Sequence, residues 1–140
     1  MLELRACIDV NDLEQGIAFY TQALGLTLGR RLGDGWAELL GAPSPIDLLA
    51  KPEGSSASPT ASLPRTYRRH WTPVHLDFVV SDLDAAVQRA RSAGAVIEKD
   101  IEVTKWGRIA LLADPFGHGL CLIEFRGRGY DELLEAPSLG

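Results

Sequence analysis

The chain has 140 residues, two cysteines, and 14 basic against 19 acidic side chains, a formal charge of −5 spread without long runs of one sign. That length suits one domain or two small intertwined modules, with a core large enough to need no disulfides, and so few cysteines fit a reducing compartment. Mild acidity argues against nucleic acid or an anionic membrane as the main partner, and no uncharged apolar run is long enough to predict a spanning helix. Met1-Leu2-Glu3-Leu4-Arg5 places no basic segment ahead of an apolar stretch, so no signal peptide is expected and the location expected is the cytoplasm.

In chain order, Leu4, Ala6, Ile8 and Val10 alternate with Arg5, Cys7 and Asp9, the period of a strand with one apolar face. Asn11 with Glu14 then predicts the N-cap and N3 of a helix whose buried stripe is Leu13, Ile17, Tyr20 and Leu24, ended by Gly25. Strands follow at about 26–32, 35–41 and 46–51, with Gly33-Asp34-Gly35 as a hairpin turn. Pro52 to Pro64, rich in Ser, Pro and Ala, reads as a flexible linker. The pattern then restarts: Val74, Leu76, Phe78 and Val80 alternate with His75, Asp77 and Val79, and Ser81 with Asp84 opens a second helix carrying Leu83, Val87 and Ala90, closed by Gly94. Strands at about 95–103, 107–113 and 119–125 complete it, with Asp114-Pro115-Phe116-Gly117 as a type I turn, before an acidic tail with one helical turn.

The restart is a repeat. Val10-Asn11-Asp12-Leu13 returns as Val80-Ser81-Asp82-Leu83 at an offset of 70, which Trp36 and Trp106 share. Ile46-Asp47-Leu48-Leu49 returns as Leu120-Cys121-Leu122-Ile123 at an offset of 74. Residues 1–126 therefore read as one domain of two β-α-β-β-β modules, about 2–51 and 71–126, joined by a linker over 52–70 and followed by a tail over 127–140. Each helix must bury its stripe on the apolar strand face. The opposite face then carries Arg5, Cys7, Asp9 and Asp47 in one module and His75, Asp77 and Cys121 in the other. Pseudo-two-fold pairing brings these onto one concave surface, the composition of a small-molecule site.

The repeat, with Asp12-Leu13-Glu14-Gln15-Gly16-Ile17-Ala18-Phe19-Tyr20, Leu24-Gly25-Leu26, Trp106-Gly107 and the Asp-Pro-x-Gly turn at Asp114 to Gly117, resembles the vicinal oxygen chelate superfamily over roughly residues 3–126. That superfamily includes glyoxalases, bleomycin-resistance proteins and extradiol dioxygenases. The resemblance implies an α+β fold in which two β-α-β-β-β modules form a curved, partly closed mixed sheet around a cavity, and a homodimer. It also implies that metal-using members' ligand places fall on Arg5, Asp47, His75 and Cys121. A guanidinium cannot ligate a cation, and a thiolate suits soft metals rather than an oxygen-rich site. The expectation is therefore a protein that binds or modifies a small organic molecule without cofactor. The alternatives are a glyoxalase-type lyase or dioxygenase holding Zn, Ni, Mn or Fe on His75, Asp47 and Cys121, and a non-catalytic protein that sequesters a drug.

Individual residues carry paired readings. Arg5 either forms a buried ion pair with Asp47 or grips an anionic group of a ligand. His75 is the candidate general base, or a hydrogen-bonded relic of a ligand. Cys121 and Cys7 read as inert thiols. Trp36 and Trp106 read as core or cavity wall, and the cavity expected is lined by Arg5, Cys7, Asp9, Asp47, His75, Asp77, Trp106 and Cys121. Arg65, Arg68, Arg69 and His70, beside Tyr67 and Trp71, read as solvated surface or as an anion-binding cover, and His118 as an exposed turn residue.

Overall fold

The computed structural model describes residues 1–134. Its elements run β1 (Ala6–Val10), α1 (Leu13–Leu24), β2 (Thr27–Leu32), β3 (Trp36–Leu40), β4 (Ile46–Ala50), β5 (Leu76–Val79), α2 (Leu83–Ser92), β6 (Val96–Val103), β7 (Gly107–Ala113) and β8 (Gly119–Phe125), closed by a 3-10 helix at Gly129–Leu133. The rest of the tail, 135–140, lies outside the described residues. The two modules share one topology: the sheet orders are β1-β4-β3-β2 and β5-β8-β7-β6, each with one parallel and two antiparallel pairings. Register repeats as well, since Cys7 faces Asp47 across the parallel pair of one module and Asp77 faces Cys121 across that of the other.

The fold is the expected α+β arrangement of two β-α-β-β-β modules, whose strands form two four-stranded mixed sheets without a closed barrel. β1 and β5 are edge strands, and the modules are joined by apolar burial together with the Tyr20–Asp114 and His118–Asp9 hydrogen bonds. Helices α1 and α2 pack on each other. One cluster runs from Val10, Leu39 and Leu48 through the helices to Leu112, Phe116 and Leu122, all at most 1% exposed. Burial of this kind is non-directional, so it holds the modules together without strand pairing.

Local corrections follow from side-chain chemistry. The helix caps are Asp12 and Asp82, one residue later than Asn11 and Ser81, because their carboxylates accept the Gln15 and Ala85 backbone N–H groups at 3.0 and 3.1 Å. In α1 the buried stripe is Leu13, Gly16, Phe19, Tyr20 and Ala23, leaving Ile17 and Leu24 half-buried. Gly16 sets this rotation: a Cβ there would stand 3.1 Å from Val10 and 3.2 Å from Leu48, so the helix lies close on β1 and β4 through its glycine. The second helix closes on Ala93, with Gly94 following at φ 113°.

The segment between modules is tied down at several points. Gly54 N–H donates to Arg65 O and Arg65 N–H to Ser55 O, while Tyr67 donates its hydroxyl to Lys51 O at 2.6 Å.

Candidate functional site

Alternation in β2, β3 and β4, with Arg5 just ahead of β1, brings four charged side chains together on the face away from α1. Arg5 donates from Nε and Nη2 to the two oxygens of Asp47 at 2.9 and 2.7 Å, and from Nη2 to Glu38 Oε2 at 2.7 Å. Arg30 donates to the same Glu38 from Nε and Nη2 at 3.1 and 2.7 Å and lies over the Trp36 ring. Two guanidinium groups thus meet two carboxylates that are only 5% and 8% exposed, so the cluster is neutral and hydrogen-bonded. Arg30 first and Arg5 second hold the Glu38 carboxyl down to about 2. The expected Arg5–Asp47 pair is present. Sequence reading missed Glu38, although its place in β3, in register with Asp47, was a signal to be had from the strand period. Further along β1, Cys7 is exposed and Asp9 is bound by Arg65 Nε at 2.7 Å.

The matching face of the second module carries different chemistry. His75 Nε2 lies 3.1 Å from Asp77 Oδ1, and the donor atoms of His75, Asp77 and Cys121 all lie within 4.8 Å of one another. Burial, and then the charge of Asp77, push the Cys121 thiol up to about 11, so it stays protonated and hydrogen-bonds Asp77. A thiol held by a carboxylate is a poor nucleophile. The imidazole is oriented by Asp77 and flanked by Trp71, whose ring centroid is 5.2 Å away. This arrangement suits proton transfer at His75 better than attack by Cys121.

The eight expected cavity residues do not converge within one chain. Cys7, Asp9 and Asp47, with Arg5 just ahead of β1, belong to one sheet, and Asp77 and Cys121, with His75 just ahead of β5, to the other. A cavity of about 490 Å³ opens between the modules on the helix-facing side, lined by Leu4, Ala6, Ile46, Leu76, Phe78 and Leu122, with Asp77 the one expected cavity residue at its wall. Trp106 packs on Phe125 and Tyr130, at the far end of β8 from Cys121. In the basic cluster, Arg65 is taken by Asp9 and Arg69 by Glu98, which leaves neither guanidinium unpaired for an anion. His118 is half-buried rather than exposed, because its Nε2 bonds the Asp9 carbonyl at 2.7 Å.

A glyoxalase-like domain family model matches residues 5–123. The chain belongs to that family. Solved members of the wider glyoxalase/bleomycin-resistance/dioxygenase superfamily share its fold. FosX, a fosfomycin resistance protein from Listeria monocytogenes, is 18% identical with a TM-score of 0.70 over 96% of this chain and 98% of that one. TioX from Micromonospora sp. ML1 is 18% identical with a TM-score of 0.69 over 90% and 100%. Among curated relatives, the anthracycline biosynthesis protein DnrV of Streptomyces peucetius is 41% identical over 63 residues, 45% of this chain and 22% of that protein. The match to the uncharacterized protein Mb0911c of Mycobacterium bovis covers 32% of that protein, so the chain spans about a third or less of these curated relatives.

Within this glyoxalase-like chain the four inferred ligand places do not suit an oxygen-rich divalent metal. Arg5 is a fixed cation, and both oxygens of Asp47 are engaged by it. The expected set of His75, Asp47 and Cys121 is not assembled in one chain, because Asp47 sits on the other sheet; Asp77 stands beside His75 and Cys121 instead. That triple, of imidazole, carboxylate and thiol, has the donor types zinc accepts.

Proposed function

We propose that this glyoxalase-like protein binds or modifies a small organic molecule on the faces carrying Arg5 and His75, without the superfamily's usual metal. The observation that supports the reading is the Arg5 cluster: the guanidinium, at a position the resemblance assigns to a metal ligand, is neutralised by Asp47 and Glu38. His75, oriented by Asp77, is the residue proposed to move a proton if there is turnover. The two half-sites lie on the sheets of edge strands β1 and β5, with Leu4, Val74 and Val79 exposed beside them. This supports a homodimer in which each half-site faces one from the second copy. The proposed location is the cytoplasm; among the described residues no helix is long and apolar enough to cross a membrane.

Metal analysis of protein purified without chelator and without a nickel column tests the reading. Less than a tenth of an equivalent of any transition metal is expected. Stoichiometric zinc, nickel, manganese or iron that disappears in His75→Ala overturns it and favours the second reading, a lyase or dioxygenase using His75, Asp77 and Cys121. A thermal-shift screen of organic acids and planar drugs then finds the ligand class, since a binder raises the melting temperature with its concentration. Sedimentation at micromolar concentration tests the dimer.

A further inference from the structure

The two modules and the segment between them meet at a pair of histidines. His118, in the turn between β7 and β8, places Nε2 2.7 Å from the carbonyl of Asp9 at the end of β1. Its Nδ1 lies 3.3 Å from Nε2 of His70, at the end of the connecting segment, and His70 Nδ1 lies 2.7 Å from the carbonyl of Arg68. The rings meet edge to face, with centroids 5.1 Å apart. One line of contacts therefore runs from the connecting segment through the second module to the first.

Proton counting restricts the states in which all three contacts are hydrogen bonds. A carbonyl only accepts, so both end contacts require an N–H on the histidine. The central contact between two ring nitrogens requires a single proton between them. Three protons are needed, and two neutral imidazoles carry two. With two, either a ring nitrogen faces a carbonyl with its lone pair, or two lone pairs face each other at the centre. With four, two N–H groups collide at the centre. We propose that His70 and His118 form a proton-sharing latch that carries one positive charge and fastens residues 64–70 to both modules.

The surroundings support a seated segment. The His70 N–H donates to Gly117 O at 3.2 Å, and Gly117 has φ 83° with a notional Cβ only 2.4 Å from Arg68 O, so the segment lies directly on the turn. The charged groups around the latch come from four elements. Asp9 on β1 is held by Arg65; Arg69 donates to the His70 carbonyl and to Glu98 on β6; Asp114 in the turn accepts the His118 backbone N–H at 2.9 Å. The Arg65, Arg69, Asp9 and Glu98 side chains are thus paired with each other, and Tyr67 presents its ring to His118 at 6.3 Å. Between the segment and the β1 end lies a recess of about 230 Å³ lined by Asp9, Arg65, Tyr67, His70 and His118. The latch closes as the third proton binds and opens as that proton is lost. Opening bares the recess and loosens one tie between the modules. The inference stands whether or not the faces carrying Arg5 and His75 take a ligand.

Hydrogen exchange of the His70 backbone N–H reads the latch. After correction for intrinsic exchange, its opening constant is expected to rise with pH between about 5.5 and 8, by at most about tenfold per unit for a one-proton linkage. In His70→Gln the side-chain N–H groups donate without titrating, so the pH dependence should vanish. A wild-type opening constant unchanged over that interval overturns the proposal, as does an equal dependence in His70→Gln. Nitrogen NMR of the imidazoles needs no variant: one proton taken up between the two rings is expected. Two independent protonations, each ring becoming fully charged with the segment still closed, overturn the shared proton.

Discussion

Replacing Tyr20 by Phe removes one oxygen from the junction between the modules. Tyr20 is 1% exposed on α1, and its hydroxyl donates at 2.5 Å to Oδ2 of Asp114, itself 4% exposed in the turn between β7 and β8. The other oxygen of Asp114 accepts the N–H groups of Phe116 and His118 at 2.8 and 2.9 Å, so the variant strips Oδ2 of the only partner it has among the described residues while leaving the turn's own bonds. A hydrogen bond to a buried charged acceptor contributes about 1.5–3 kcal/mol, and the ring itself stays. Urea unfolding should show that loss at an unchanged slope, with a melting temperature lower by roughly 5–10 °C. A loss below about 0.5 kcal/mol would refute the argument, because it would mean Asp114 regains a partner at no cost. Alkali supplies a second readout. Burial, and then Asp114, push the Tyr20 phenol above its ordinary 10.0, so the stability it contributes is whole below pH 10 and lost as pH climbs through the raised value. Tyr20→Phe should lack that alkaline loss.

Acid should act through Glu38. Arg30 foremost and Arg5 next depress its carboxyl from 4.5 to about 2, so the contribution is present above pH 4.5 and disappears as pH falls through 2. Glu38→Gln should flatten the fall in stability over that interval, and wild-type and variant curves that stay parallel would count against the cluster. Cys121 should alkylate slowly: raising its thiol from 9.0 to about 11 leaves roughly 100-fold less thiolate at neutral pH. Asp77→Asn should speed the reaction with iodoacetamide, and a rate equal to that of free cysteine would remove Cys121 from its pocket. Gly117→Ala should destabilise by more than about 1 kcal/mol, since φ is positive and the new Cβ meets the Arg68 carbonyl. Gly33→Ala, at φ 55° in open space, carries only the conformational cost, and equal losses at the two sites would mean that the connecting segment does not bear on Gly117.

Much of the architecture was legible because it is written in short-range periods. Alternation at Leu4 to Val10 and Val74 to Val80 marked both first strands and the face each polar residue takes, and the offset of 70 exposed the duplication. The Arg5–Asp47 pair was readable for the same reason, since parity puts both on one face and a charge leaving water needs a partner. The helix stripe was read less well at Ile17 and Leu24. There Gly16 lets α1 roll toward β1, an effect of close packing that residue spacing does not carry.

The sequence by itself thus determined two copies of one β-α-β-β-β unit, the polar set on one face of each first strand, and at Arg5 a guanidinium that cannot ligate a cation. Tertiary structure decided how those units are put together. Apolar surface has no preferred partner, so the pattern that buries α1 and α2 is equally satisfied by one continuous sheet or by two sheets joined through their helices. The chain takes the second arrangement, which separates Arg5 and Asp47 from His75 and Cys121 and puts Asp77 in Asp47's place beside them. It also brings His70, His118 and Asp9 together across 109 residues of sequence, a contact set by three-dimensional closure and invisible to any local pattern.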